Sequence, residues 1–248
     1  MNSITQRTQG TPLKVIAAIP CFNEQQFIAD IVSRAKKYVD QVIVIDDGST
    51  DATANIAQAA GAIVIRHIER GGAGAATRAA FQAAKASHAD ILVTLDGDGQ
   101  HNPDEIPQLI APILRKEAAL VIGSRFLQAT QQTQQTQQTQ VTQQTHILWY
   151  RKFGIDVINW LYNMGAKVKV SDSQSGFRAH SRKLLDTVAI TENGFGFSVQ
   201  VLIQARDKGL RIKEVSVSCI YHPNGSTLNP LIHGLSVAWS VIKLRLTE

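Results

Sequence analysis

Cysteine is nearly absent from the 248 residues: Cys21 and Cys219 are the only two. They are too few to frame a fold with disulfides and lack the spacing of a metal cluster, which points to a reducing compartment. No uncharged apolar run approaches the ~20 residues of a bilayer-spanning helix, and residues 1–12 lack the apolar stretch of a signal peptide. The expectation is a cytoplasmic protein. Neither sign of charge dominates, since 25 basic and 20 acidic side chains leave +5. That mild excess suits nucleic acid, acidic lipid or phosphorylated substrates without choosing among them. With 44% apolar and 18% charged residues, the chain can bury a core, which excludes global disorder and a collagenous scaffold. The length fits one domain, or one domain with a small appendage.

What is present is an alternation of short β-branched runs with helical stretches. Residues 15–19, 42–46, 63–67, 91–96 and 120–124 read as strands apolar on both faces, as in a covered parallel sheet. Helical stretches are expected at about 24–39, 52–60, 73–87 and 103–115, with Asp51 capping the second and Pro103 in the first turn of the fourth. This is an α/β fold, whose ligands bind beyond the carboxyl ends of the strands. The polar clusters 20–24, 46–51, 96–101 and 123–126 fall there. Residues 128–145 are six Gln-x-Thr triplets without charge, Gly or Pro, read as an inserted low-complexity loop. After it come a helical stretch at 147–166, a helix near 196–208, a strand at 212–219 and an amphipathic segment at 231–246. The organisation expected is a flexible 1–12, a domain at 13–220 and a C-terminal segment at 221–248.

Asp96-Gly97-Asp98-Gly99-Gln100-His101 follows directly on a strand. Two carboxylates at i and i+2 with a carboxamide at i+4 can converge on a hard divalent cation through oxygen ligands. Such an ion keeps positions open for a diphosphate. A bare Asp-Gly-Asp-Gly is also an ordinary turn. An EF-hand is excluded, because Pro107 stands where the 12-residue loop needs Glu. Asp46 and Asp47, adjacent at another strand end, are expected to repel each other unless a ligand or cation relieves them. Pro20, Phe22 and Glu24 add an apolar face and a carboxylate to the same edge.

Taken in order, VIAAIPCFNE, VIDDGSTD, the glycine-rich 71–76, LDGDGQHNPDEI, IGSRF and SDSQSGFRAHSR resemble the family 2 glycosyltransferases of GT-A fold, a three-layer α/β/α sandwich with a mostly parallel sheet. The subgroup most resembled is that of the polyprenyl-phosphate sugar transferases, such as dolichyl-phosphate mannose synthase. The resemblance implies inverting transfer from a nucleoside diphosphate sugar, UDP- or GDP-linked, to an acceptor, assisted by Mg²⁺ or Mn²⁺. It assigns Pro20, Phe22, Glu24, Asp46, Asp47 and Asp96 to the donor, and Asp96, Asp98 and Gln100 to the metal. It sets Arg125 against phosphate, and Asp172, Ser175, Gly176 and Arg178 on the acceptor side. The expected catalytic set is Asp96, Asp98, Arg125 and Asp172.

The acceptor is left open. A sugar hydroxyl would need a base, for which Asp172 is the candidate. A lipid phosphate is already anionic, and Arg125, Arg151 and Arg178 are then candidate clamps. The expectation is a polyprenyl phosphate, reached by peripheral contact with the inner face of the membrane through the segments 147–166 or 231–246. Two rivals stand. Gly72-Ala73-Gly74 mimics a dinucleotide fingerprint and would fit a nicotinamide oxidoreductase. A catalytically silent sugar-nucleotide binder would share the fold. Nucleic acid is not expected, because basic residues are scattered and the ligand edge is acidic.

Overall fold

The computed structural model describes residues 12–127, 156–160, 162–164 and 169–220. The Gln/Thr repeat, Arg151 and the C-terminal segment lie outside the described residues, and no domain division is drawn for them.

Among the described residues seven strands form one sheet: β1 (Val15–Cys21), β2 (Gln41–Asp46), β3 (Ile63–Arg66), β4 (Ile91–Thr94), β5 (Leu120–Ser124), β6 (Arg178–Ser181) and β7 (Ile212–Ser216). Their order is β3-β2-β1-β4-β6-β5-β7. The four β1–β4 strands are parallel, as is the β5–β7 pair, while β6 runs antiparallel between β4 and β5. The helices are α1 (Ile28–Ala35), α2 (Thr53–Ala59), α3 (Ala73–Ala86), α4 (Ile106–Leu114), α5 (Arg182–Thr187) and α6 (Phe197–Asp207). Residues 156–160 and 162–163 are also helical.

Strand alternation divides the core. Ile16 and Ala18 face a cluster with Phe81 of α3, Leu184 of α5 and Leu202 of α6. Val15, Ala17 and Ile19 face Ile31 and Val32 of α1, Ala57 of α2 and Leu109 of α4. Both faces of the sheet are thus covered, which is why its strands read as continuous apolar runs.

Some element ends differ from expectation for local reasons. Helix α1 begins at Ile28 rather than near 24, because Asn23 takes a left-handed φ of 59° and the amides of Phe27 and Ile28 both turn back onto the Glu24 carbonyl. Asp51 acts one residue ahead of the assigned cap Ala52, its Oδ1 accepting from the Thr53 amide at 2.9 Å. Pro103 opens a 3-10 turn capped by the Asn102 side chain, and α4 follows it. Strand β6 has no signature in the sequence, because Arg-Ala-His-Ser carries no apolar alternation.

Candidate active site

The parallel strands end on one edge, and three acidic loops meet there. The Pro20–Glu24 loop is stitched to the loop after β2: the Asn23 amide donates to Ser49 Oγ at 2.9 Å, the Glu24 amide to Thr53 Oγ1 at 2.8 Å, and the Thr50 amide to Asn23 Oδ1 at 2.9 Å. Glu24 is thereby held near Asp98, Asp51 and Asp96; burial first, then these three charges, push its carboxyl up to about 7. Beside it, burial and the neighbouring acids push the Cys21 thiol up, which keeps it protonated.

Asp46 and Asp47 find their partners within the protein. Asp46, fully buried, accepts from the Ser49 amide at 2.9 Å, and Arg66 Nε lies 3.1 Å from its Oδ2, too poorly aligned to donate. Asp47 accepts from the amides of Gly71 and Gly72 at 2.9 and 2.8 Å and lies 2.7 Å from His67 Nδ1. The repulsion expected of adjacent acids is relieved within the protein by Arg66 and by the amides ahead of α3. Phe22 presents its ring to Arg70, whose guanidinium carbon stands 4.1 Å from the centroid.

The glycine-rich start of α3 has no room for a dinucleotide phosphate. The amides of Gly74 and Ala75 donate to the Asn193 carbonyl, at 2.7 and 3.4 Å, while those of Gly71 and Gly72 are held by Asp47. A Cβ on Gly74 would lie 2.1 Å from the Glu192 carbonyl oxygen. These glycines let α3 pack against the 192–193 segment, a role that looks like a cofactor fingerprint in the sequence alone.

Asp96 and Asp98 follow β4. Asp96 is half open to the cleft and accepts from His101 Nε2 at 3.1 Å. Because a carboxylate can only accept, His101 donates from Nε2, and its buried Nδ1 has no partner among the described residues. Desolvation opposes the Asp96 charge, but the His101 hydrogen bond and the fields of His101, Arg125 and Arg178 outweigh it and hold the carboxyl below its usual range. Asp98 Oδ1 accepts from the Gln100 amide at 3.0 Å. Among the described residues no three His, Cys, Asp or Glu side chains form a closed metal cage. The donor set nonetheless fits Mg²⁺ or Mn²⁺ shared with a diphosphate, since such ions take one or two carboxylates and complete their shell with phosphate and water oxygens.

Across from these acids lies the segment 171–178. Asp172, fully buried, takes Arg125 in a fork: Nε to Oδ2 and Nη2 to Oδ1, both 2.7 Å, with the Arg125 amide donating to Oδ2 at 3.1 Å. Both oxygens of the candidate base are therefore engaged. Ser175 is buried and its Oγ accepts from the Phe177 amide at 3.3 Å. Arg178 is not on the rim. Only 2% exposed, it donates to the carbonyls of Ser175, Ser198 and Ser173 at 2.8, 3.0 and 2.6 Å, and burial lowers it to about 10. It braces the 171–178 segment from within. His101, quoted within a motif but given no role by the sequence, joins the site through Asp96; its signal was a ring five residues beyond the first metal-type acid.

The model for glycosyl transferase family 2 matches residues 16–187. The chain is 30% identical over 223 residues to the UDP-N-acetylglucosamine–dolichyl-phosphate N-acetylglucosaminyltransferase of Methanococcus voltae, covering 82% of this chain and 84% of that one. It is 26% identical over 259 residues to the undecaprenyl-phosphate mannosyltransferase of Micrococcus luteus, covering 94% and 99%. A crystal structure of glucosyl-3-phosphoglycerate synthase from Mycobacterium tuberculosis, in complex with Mn²⁺, UDP and phosphoglyceric acid, superposes with a TM-score of 0.68 at 23% identity, over 93% of this chain and 78% of that one. With its acidic strand edge on a sheet of GT-A type, the chain belongs to the family 2 glycosyltransferases.

Proposed function

We propose that this glycosyltransferase moves a hexose, with inversion, from a UDP- or GDP-sugar to a polyprenyl phosphate at the cytoplasmic face of a membrane. The observation that carries the choice of acceptor is the Arg125–Asp172 fork. A saccharide hydroxyl must lose a proton, and a carboxylate whose two oxygens both accept from a guanidinium is a poor place to put it. A phosphate acceptor arrives already ionised and asks only for positioning and charge. The relatives from Methanococcus and Micrococcus bear names with polyprenyl-type phosphates, which supports the same reading.

Asp98, with Asp96 and Gln100 beside it, would hold Mg²⁺ or Mn²⁺, which neutralises charge on the departing diphosphate. His101 fixes the rotamer of Asp96 from behind. Phe22 and Pro20 offer the nucleobase an apolar face, and Asp46, fully buried behind them, shapes that edge by holding the Ser49 amide. Asp47 contributes by tying the 71–72 turn beneath them. Arg125, pre-oriented by Asp172, presents a permanent positive charge where the phosphates of donor and acceptor meet. Arg178 and Ser175 shape the loop that carries Asp172. No helix among the described residues is long and apolar enough to cross a membrane. Contact with lipid would be peripheral, and the exposed Val157, Trp160 and Met164 lie along one such surface.

The test is a panel of UDP- and GDP-sugars offered with undecaprenyl phosphate or with simple saccharides, with Mn²⁺ or with EDTA. Mn²⁺-dependent label on the lipid, released by mild acid, is expected. Transfer to saccharides alone would overturn the acceptor, and nucleotide binding without any turnover would point to a silent binder.

A further inference from the structure

Glu214, on β7, belongs to no motif that the sequence singled out. It faces the same side of the sheet as Ile212, beneath the segment that carries Asp172. Three donors converge on it: the Ser171 amide reaches both carboxylate oxygens at 3.0 and 2.9 Å, Ser171 Oγ reaches Oε1 at 3.1 Å, and the Asp172 amide reaches Oε1 at 3.0 Å. Because an ionised carboxylate only accepts, Ser171 must donate to it. Ser124, 2.8 Å from Ser171 Oγ, must then donate in turn, leaving Ser124 Oγ to accept from the Phe126 amide at 3.2 Å. The direction of this chain is fixed from end to end. It ties the turn after β5, where Arg125 sits, to the segment that holds Arg125 by its side chain. Asn159 grips the same segment from the helical residues, donating to the Ser171 carbonyl at 2.6 Å and accepting from the Ser173 amide at 3.0 Å.

We propose that Glu214 is a positioning residue: by holding the backbone of Ser171 and Asp172 it sets the fork that aims the Arg125 guanidinium into the cleft. The proposal rests on the reading of Arg125 as the phosphate-facing residue, and its effect on rate follows from that reading. Its structural half stands without it. A guanidinium gripped at two nitrogens has one orientation, and the carboxylate that grips it has one orientation only while its own backbone is held. Glu214→Ala takes the acceptor from all three donors at once. Glu214→Gln keeps an amide oxygen at the Oε1 position, within reach of all three donors, but sets a donor against the Ser171 amide at the Oε2 position, so the rescue it gives is partial.

The structural half is read by NMR of arginine Nε–H groups. The Arg125 signal, assigned by its loss in Arg125→Lys, should be protected from exchange in the wild type. It should lose at least about 10-fold of that protection in Glu214→Ala and recover in part in Glu214→Gln. Far-UV circular dichroism and thermal unfolding, matching between wild type and variant, report that the fold is intact. The kinetic half uses undecaprenyl phosphate as acceptor. Glu214→Ala should raise its KM or lower kcat by about 10-fold or more, with Mn²⁺–UDP or Mn²⁺–GDP affinity unchanged, and should cost less than about 2-fold when Asp172→Ala is already present. Unaltered Arg125 protection in Glu214→Ala, or an equal loss of activity on both backgrounds, overturns the proposal. An Arg125→Ala variant with wild-type acceptor kinetics overturns instead the reading of Arg125 on which the kinetic half depends.

Discussion

Gly176 lies directly over Asp96: a Cβ placed on it would come within 2.4 Å of either carboxylate oxygen. The 171–178 segment and the loop after β4 are thus in contact.

This contact makes Gly176→Ala a local probe. Its added methyl must displace the Asp96 carboxylate from its His101 hydrogen bond. Transfer should fall by about 100-fold, the scale of loss that follows a displacement of ~1 Å at a reacting centre, with Mn²⁺-dependent nucleotide affinity weakened and the circular dichroism spectrum unchanged. Steady-state kinetics and calorimetry read the two together; wild-type turnover would remove Asp96 from the working site.

Asp98→Ala should abolish transfer while preserving the fold, because Asp98 sits in a loop outside the strands and helices that build the core. Thermal unfolding should shift little. Full activity in this variant would refute the metal assignment.

Glu24 provides a pH signature with a definite sign. Its carboxyl is raised to about 7 in the native protein against 4.5 as the ordinary value, so the native state binds the extra proton between those limits. The stability associated with protonated Glu24 is present below the unfolded value and is lost as pH rises through the native one. The gap in Tm between wild type and Glu24→Gln should therefore widen, to the detriment of the wild type, from pH ~5 to pH ~8. Added Mn²⁺ should narrow it, since a cation among these acids favours ionised Glu24. A pH-independent gap would mean that the acids do not crowd in solution.

Asp47→Ala should act through stability first. It strips acceptors from the amides of Gly71 and Gly72 and from His67, at a cost of about 2 kcal/mol. Differential scanning calorimetry should then register a drop of roughly 4–8 °C. A variant with unchanged Tm and lost donor binding would show instead that Asp47 serves the ligand directly.

Much of this protein was legible along the chain. The five strands before residue 125 and the order of the acidic loops follow from local runs of β-branched residues and from turn chemistry. Those features need no knowledge of distant contacts, and β1, β2, β4 and β5 deliver their polar ends to one edge, as such sheets do. The helical stretch after residue 71 was visible too, but its glycines were ambiguous, since a phosphate and a neighbouring carbonyl ask the same thing of the backbone.

The rest was decided in three dimensions. Strand β6 exists because a slot between β4 and β5 supplies its hydrogen bonds, although Arg-Ala-His-Ser has no strand-like pattern of its own. Arg178, an arginine in a motif, turns inward, where it donates to three backbone carbonyls of its own loop and of α6. Asp46 and Asp47 were separated into two environments by Arg66 and the 71–72 turn. Asp172 was matched to Arg125 across 47 positions, and Glu214 to Asp172 across 42. The sequence by itself determined the layers and the family, because periodicity and ordered motifs are local. Which charged groups face the cleft and which hold others in place was decided only by the tertiary structure, because a charge takes its role from the partner that folding sets beside it.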